Sequence, residues 1–126
     1  MPLLAEKNGH ILTLTLSRPA MRNAWDDDFN EGLVAELTKA TDDDDVRVVI
    51  LTGDESGGAF SAGANLKKPN SHVTGGAKQF VRKIRRPRLF PANLLGDFPK
   101  PVIASVNGYA IGVGAIISLA CDLIVA

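Results

Sequence analysis

Residues 11–16 alternate: Leu12, Leu14 and Leu16 fall on one face, and Ile11, Thr13 and Thr15 on the other. A period of two predicts a strand with one strongly apolar face. Ser17-Arg18-Pro19 ends it, because proline has no N–H to give to a ladder. From about Asp26 the spacing lengthens to threes and fours, and Phe29, Leu33, Leu37 and Ala40 form the buried stripe of a helix. Asp26, Asp27 and Asp28 suit its positive N-terminal end, and Lys39 the opposite end. Val46 to Thr52 is a continuous apolar run with one charge, the pattern of a strand covered on both faces in a parallel sheet. Val102 to Val106 repeats that pattern, Val113 to Cys121 reads as a short apolar helix, and Asp122 to Val125 opens a further strand. Prolines at 69, 87, 91, 99 and 101 break up the stretch from 68 to 99, leaving one helix from Ala77 to Arg85. Strands alternating with helices imply an α/β fold built from right-handed βαβ crossovers.

Length and charge narrow the class. The chain has 126 residues, one domain or part of one, with 45% hydrophobic residues to build a core. Fourteen basic and fourteen acidic side chains cancel, so no net field draws the molecule toward nucleic acid or a membrane surface. The acids concentrate in 26–55, and Asp42 to Asp45 lack the interleaved glycine and turns of a calcium loop, which leaves a solvated connector. The basic cluster from Lys78 to Arg88 reads first as a solvated helix face and second as a contact for phosphates. Cys121 is the only cysteine, so no intrachain disulfide forms; a reducing, cytoplasmic setting is expected, with Cys121 in the core. The longest apolar run, Tyr109 to Cys121, is shorter than the ~20 residues a membrane span needs.

Two glycine-rich loops carry the candidate chemistry. The first, Gly57 to Lys67, follows a buried strand and so lies at a strand's carboxyl end, where α/β folds place ligands. The second, Asn107 to Gly114, also follows a buried strand and leads into the apolar helix, whose N-terminus offers unpaired N–H donors. Loops from neighbouring strands can aim two N–H groups at one oxygen, the construction of an oxyanion hole. Rival motifs fall short. Gly112-Val113-Gly114 lacks the third glycine of a dinucleotide fingerprint, and no strand ending in an acid follows. Phe60-Ser61-Ala62-Gly63 lacks the first glycine of a nucleophile elbow, which makes Ser61 a packing hydroxyl. His10 and His72 have no Cys or His neighbours to share a metal, and none is expected.

The strings themselves go further. Ser17-Arg18-Pro19 with Arg22-Asn23-Ala24, then Val46 to Gly53, then Phe60 to Lys67, resemble the crotonase (enoyl-CoA hydratase/isomerase) family in order and spacing. Lys100 to Ala104, Asn107 to Ala110 and Cys121-Asp122 extend the resemblance over nearly the whole chain apart from 68–98. The resemblance implies an α/β fold with a crotonase-type ββα spiral core. Because the chain stops within an expected core strand, residues 1–126 read as the N-terminal part of that core, truncated before its C-terminal helical region. It implies a homo-oligomer, trimer or hexamer, acting on an acyl-CoA thioester, with coenzyme A part of the substrate and no separate cofactor.

By motif position the two backbone donors to the thioester oxygen are Ala64 and Val113. Ala24 and Ala62 would receive the adenine through backbone groups, Leu66 and Lys67 would line the pantetheine entry, Asn65 would belong to the same coenzyme A site, and Ile116 would face the acyl group. Three departures stand out. Val113 replaces a glycine, Asn65 replaces an aspartate, and Ile116 replaces the hydratases' glutamate, so two-glutamate hydration is doubtful and isomerisation or another crotonase reaction stands beside it. The alternative is a non-catalytic acyl-CoA-binding or assembly domain that kept the loops and lost the acid–base groups.

Overall fold

The computed structural model describes residues 2–67 and 91–126. Five strands form one mixed sheet: β1 (Leu3–Asn8), β2 (Ile11–Leu16), β3 (Val48–Gly53), β5 (Val102–Ser105) and β7 (Leu123–Val125), hydrogen-bonded in that order. β1 runs antiparallel to β2, and every later pairing is parallel. Helix α1 (Asp27–Asp42) links β2 to β3, α2 (Pro91–Asp97) precedes β5, and α3 (Val113–Ala120) links the β5 side to β7. Two short strands, β4 (Ala59–Ser61) and β6 (Tyr109–Ala110), make a separate parallel pair.

The core lies between one face of the sheet and the helices. Leu12, Leu14 and Leu16 from β2, Val49 and Leu51 from β3, and Val102 and Ala104 from β5 meet Phe29, Leu33 and Leu37 of α1. The expected stripe of α1 is therefore the buried one. Asp26 is its N-cap, its Oδ1 accepting from the Asp28 and Phe29 N–H groups at 3.2 and 3.4 Å. Lys39 falls in the last turn as expected, and a second lysine that the spacing did not show also holds that end. Lys39 pairs with Glu36 at 3.0 Å, and the Lys100 ammonium donates to the Ala40 and Asp43 carbonyls at 2.6 and 2.7 Å. A lysine just before β5 thus complements the helix dipole.

Three further differences from the sequence pattern have physical causes. β1 was hidden because a single residue, Leu3, is buried along it, so it shows no alternation; Gly9, at φ 61, turns the chain back into β2. β3 was expected to be covered on both faces, yet it alternates, with Val49, Leu51 and Gly53 buried and Val48, Ile50 and Thr52 half-buried. α2 starts at a proline, whose missing N–H costs nothing in the first turn, and it buries Leu95. The expected helix from Ala77 to Arg85, the basic cluster and His72 lie outside the described residues.

Candidate active site

The two glycine-rich loops meet. Ala59 pairs with Tyr109 and Ser61 with Ala110 across β4 and β6, and the Ile111 N–H donates to the Ser61 carbonyl at 3.0 Å. Backbones this close leave no room for side chains. A Cβ on Gly108 would lie 2.7 Å from the Gly58 carbonyl oxygen, and one on Gly114 only 2.5 Å from that of Ser61. Asn107 adds a side-chain clamp, its Nδ2 donating to the Gly53 carbonyl at 2.6 Å and its Oδ1 accepting from the Gly53 N–H at 3.3 Å.

A third segment, residues 22–26, runs beside the first loop. The Ala62 N–H donates to the Arg22 carbonyl, the Trp25 N–H to the Gly63 carbonyl at 2.7 Å, and the Asn65 N–H to the Trp25 carbonyl at 2.8 Å. Arg22 and Asn23 reach this path through left-handed backbone, φ 50 and 54, which asparagine tolerates better than most residues. The Asn23 side chain is fully buried. Its Oδ1 accepts from the Arg18 N–H at 2.8 Å, and its Nδ2 donates to the Ala59 carbonyl at 2.9 Å, which ties this segment to β4.

This wiring sets the direction of two N–H groups. In a trans peptide the C=O and the following N–H point opposite ways, and no described peptide is cis. The Gly63 carbonyl is bonded to Trp25, so the Ala64 N–H points away from Trp25, and it meets no acceptor among the described residues. The Gly112 carbonyl accepts from the Ile116 N–H at 3.0 Å, so the Val113 N–H projects out of the N-terminus of α3. Gly63 and Gly112, which precede the two donors, adjoin: a Cβ on Gly112 would lie 3.9 Å from the Gly63 Cα. Both have positive φ, 96 and 55.

Val113 carries no strain, because it takes ordinary helical backbone at the first position of α3. Gly112 is needed for its φ and Gly114 for its contact with Ser61, whereas the position between them tolerates a side chain. Asn65 is buried, as a loop anchor must be. Its Nδ2 donates to Asp26 Oδ2 at 3.3 Å and its Oδ1 accepts from the Lys67 N–H at 3.1 Å. Asp26 Oδ2 also receives Arg18, whose guanidinium lies 4.8 Å from the centre of the Phe29 ring.

A cavity of about 340 Å³ opens beside this loop, lined by Ala24, Ala62, Ala64, Asn65, Leu66 and Lys67, with the turn at 20–22 opposite. All six expected ligand-contacting residues of the first loop and its neighbour segment thus share one space. The carbonyls of Ala24 and Ala62 accept no hydrogen bond among the described residues. Leu66 is 88% exposed at its rim. Val113 and Ile116 are not in that lining. Ile116 ends the first turn of α3 and is 44% exposed, while Gly114, Ile117 and Ser118 form the buried face of the helix.

The model of one family, enoyl-CoA hydratase/isomerase, matches residues 6–126. The chain belongs to that family. Among its relatives, 1,2-epoxyphenylacetyl-CoA isomerase of Escherichia coli is 35% identical over 98% of this chain and 47% of its own length. The 2,3-dehydroadipyl-CoA hydratase of the same organism is 37% identical over 98% of this chain and 46% of its own. A solved crotonase-type protein from Legionella pneumophila superposes with a TM-score of 0.85 at 31% identity, covering 99% of this chain and 47% of its own. The enoyl-CoA hydratase from Bacillus anthracis gives 0.82 at 30%, covering 98% and 46%. The fold is thus the α/β crotonase core, and the chain spans about half the length of the relatives it matches.

Several parts of the candidate site were not legible from its motifs. Trp25, Asp26 and Arg18 hold the first loop from a segment about forty positions earlier; Asp26 carried a signal only as a helix cap, and Arg18 only within the Ser17-Arg18-Pro19 string. Cys121 is buried as expected. Burial, then the Asp122 charge, pushes its thiol up to about 11, so it stays protonated at neutral pH. Among the described residues no group of His, Cys, Asp and Glu can hold a metal ion, and no helix is long and apolar enough to cross a membrane.

Proposed function

We propose that this chain forms the thioester-binding part of an acyl-CoA enzyme of the hydratase/isomerase type, with Ala64 and Val113 donating their N–H groups to the thioester oxygen. The observation that carries this reading is the pair of backbone donors turned outward from adjoining glycines, each fixed by the bond that its own peptide's carbonyl makes. Such donors cost no reorganisation when charge develops on the oxygen, and removing one typically costs ~3 kcal/mol of transition-state stabilisation. The relatives named for acyl-CoA isomerisation and hydration support the choice of ligand. Coenzyme A enters along the cavity: the carbonyls of Ala24 and Ala62, which accept nothing among the described residues, face the adenine, and Asn65, Leu66 and Lys67 line the way in. No separate cofactor is needed.

Residues 57–67 and 107–121 contain no carboxylate and no histidine. These two loops and α3 polarise the thioester, and proton transfer falls to a group outside them. Ile116 supplies only apolar surface, which favours an isomerase or another enolate-forming reaction over hydration by two carboxylates. Assembly as a trimer or hexamer belongs to the same reading.

Calorimetry of the protein with a saturated acyl-CoA and with the corresponding free acid tests it. Tight binding of the thioester alone is the expected result; equal affinity for both, or none for either, contradicts it. In the folded Ala64→Pro variant, which lacks the N–H, turnover falls by about 100-fold or more. Unchanged turnover there moves the oxyanion hole elsewhere.

A further inference from the structure

The Asp26 carboxylate divides its two oxygens between two tasks. Oδ1 caps α1 through the Asp28 and Phe29 N–H groups. Oδ2 faces the other way, toward Arg18 and the Asn65 amide. The Asp26 side chain is 1% exposed, so its bonds are made in a site shielded from water, where charge-assisted hydrogen bonds hold geometry firmly. Asn65 is the residue after Ala64. Its side chain is fixed at Nδ2 by Asp26 and at Oδ1 by the Lys67 N–H, while its own N–H is fixed by Trp25. On the other side of Ala64, the Gly63 carbonyl is fixed by Trp25. The peptides flanking the Ala64 N–H therefore have little freedom to rotate, and the charge that anchors this arrangement is the Asp26 carboxylate, paired with Arg18.

We propose that Asp26 is a positioning residue: through Asn65 it fixes the direction of the Ala64 N–H toward the thioester oxygen. This rests on the reading of Ala64 as an oxyanion donor, and goes beyond it by naming what aims that donor. The separation of the two oxygens makes the idea testable, because substitutions exist that keep the cap and remove the second contact. Asp26→Ser keeps a good N-cap oxygen and has none to offer Asn65. Asp26→Asn also caps, but if its amide oxygen keeps the cap, its amide N–H groups face the donors of Arg18 and Asn65. Asn65→Asp, alone, sets a second carboxylate against Asp26. The double variant Asp26→Asn/Asn65→Asp restores a donor–acceptor pair with its polarity reversed.

The experiment compares the affinity of the protein for an acyl-CoA thioester with that for the matching alkyl-CoA thioether, which has no carbonyl oxygen. Wild type favours the thioester. In Asp26→Ser and Asp26→Asn this preference shrinks by about tenfold, the equivalent of one hydrogen bond, with thioether affinity kept, and in Asn65→Asp the preference shrinks likewise. The double variant regains most of it. Equal losses for both ligands would make Asp26 a structural residue only and overturn the proposal, as would an undiminished preference in all three single variants. A wild-type protein that binds both ligands equally refutes the oxyanion reading itself, and the proposal falls with it. Should Asp26→Ser fail to fold, Asn65→Ala removes the same contact from the other side and leaves the cap of α1 intact.

Discussion

Gly114→Ala adds one methyl group where the two loops touch, and its cost can be worked out from the contact. Gly114 has ordinary helical backbone, so conformational strain does not enter, and alanine even gains up to ~1 kcal/mol of helix propensity. Against that, the new Cβ would sit 2.5 Å from the Ser61 carbonyl oxygen and 2.9 Å from its Cβ. Ser61 is fully buried and its carbonyl is already bonded to the Ile111 N–H, so the neighbour that must yield is backbone. Overpacking of this kind costs ~1–3 kcal/mol or more. Gly96→Ala is the matched control, since Gly96 lies in α2 with nothing within 4 Å of an added Cβ; it stabilises the fold by ~0.5–1 kcal/mol. Both changes share the propensity gain, so urea denaturation should separate the two variants by the overpacking cost, ~1–3 kcal/mol. Their melting temperatures should differ by roughly 10 °C. Equal stability of the two would mean that the loops are not in contact at Ser61, and the geometry of the donor pair would fail with it.

Other perturbations have definite outcomes. Asn23→Ala strands the Arg18 N–H and the Ala59 carbonyl in a buried place and puts alanine at φ 54, so denaturation should show a loss of ~2–4 kcal/mol. Ile116→Ala removes a side chain that is 44% exposed, so its stability cost should be ~1 kcal/mol rather than the 2–4 of a buried isoleucine, and turnover should persist with altered acyl preference. Complete loss of turnover with normal thioester binding would contradict the role given to Ile116. The Cys121 thiol has a folded pKa raised from 9.0 to about 11, so its contribution to stability is whole below pH 9 and is lost as pH rises through 11. Cys121→Ala should flatten that decline, and native Cys121 should resist alkylation at pH 8 until the chain unfolds.

The elements with a strong period were open to reading. β2 and α1 bury the residues that alternation and the three-to-four spacing mark, from Leu12 to Ala40. β4 and β6, three and two residues long, are too short for any period, so the loops looked unstructured although these strands join them. The site divides in the same way. The proposed donors Ala64 and Val113 follow from motif position, because glycine patterns are local. The polar groups that hold their loops do not, because Asn23 to Ala59, Asp26 to Asn65 and Asn107 to Gly53 are pairings across 36, 39 and 54 positions. Each of those polar residues has a local excuse in a turn or at a cap, and only the fold shows which distant carbonyl or amide it meets. Val113 illustrates the reverse: a side chain where the resemblance expects glycine sits at an unstrained helix start.

The account stands on two N–H donors meeting one thioester oxygen. Infrared difference spectroscopy of an acyl-CoA labelled with carbon-13 at its carbonyl reads that contact directly, since hydrogen bonds to the oxygen weaken the C=O bond. On binding to the protein the labelled band should move to lower frequency than in water, and in Ala64→Pro about half of that shift should vanish as one of two equivalent donors is lost. A bound thioester whose carbonyl band stays at its aqueous position, or whose shift is the same in a folded Ala64→Pro variant, would contradict it.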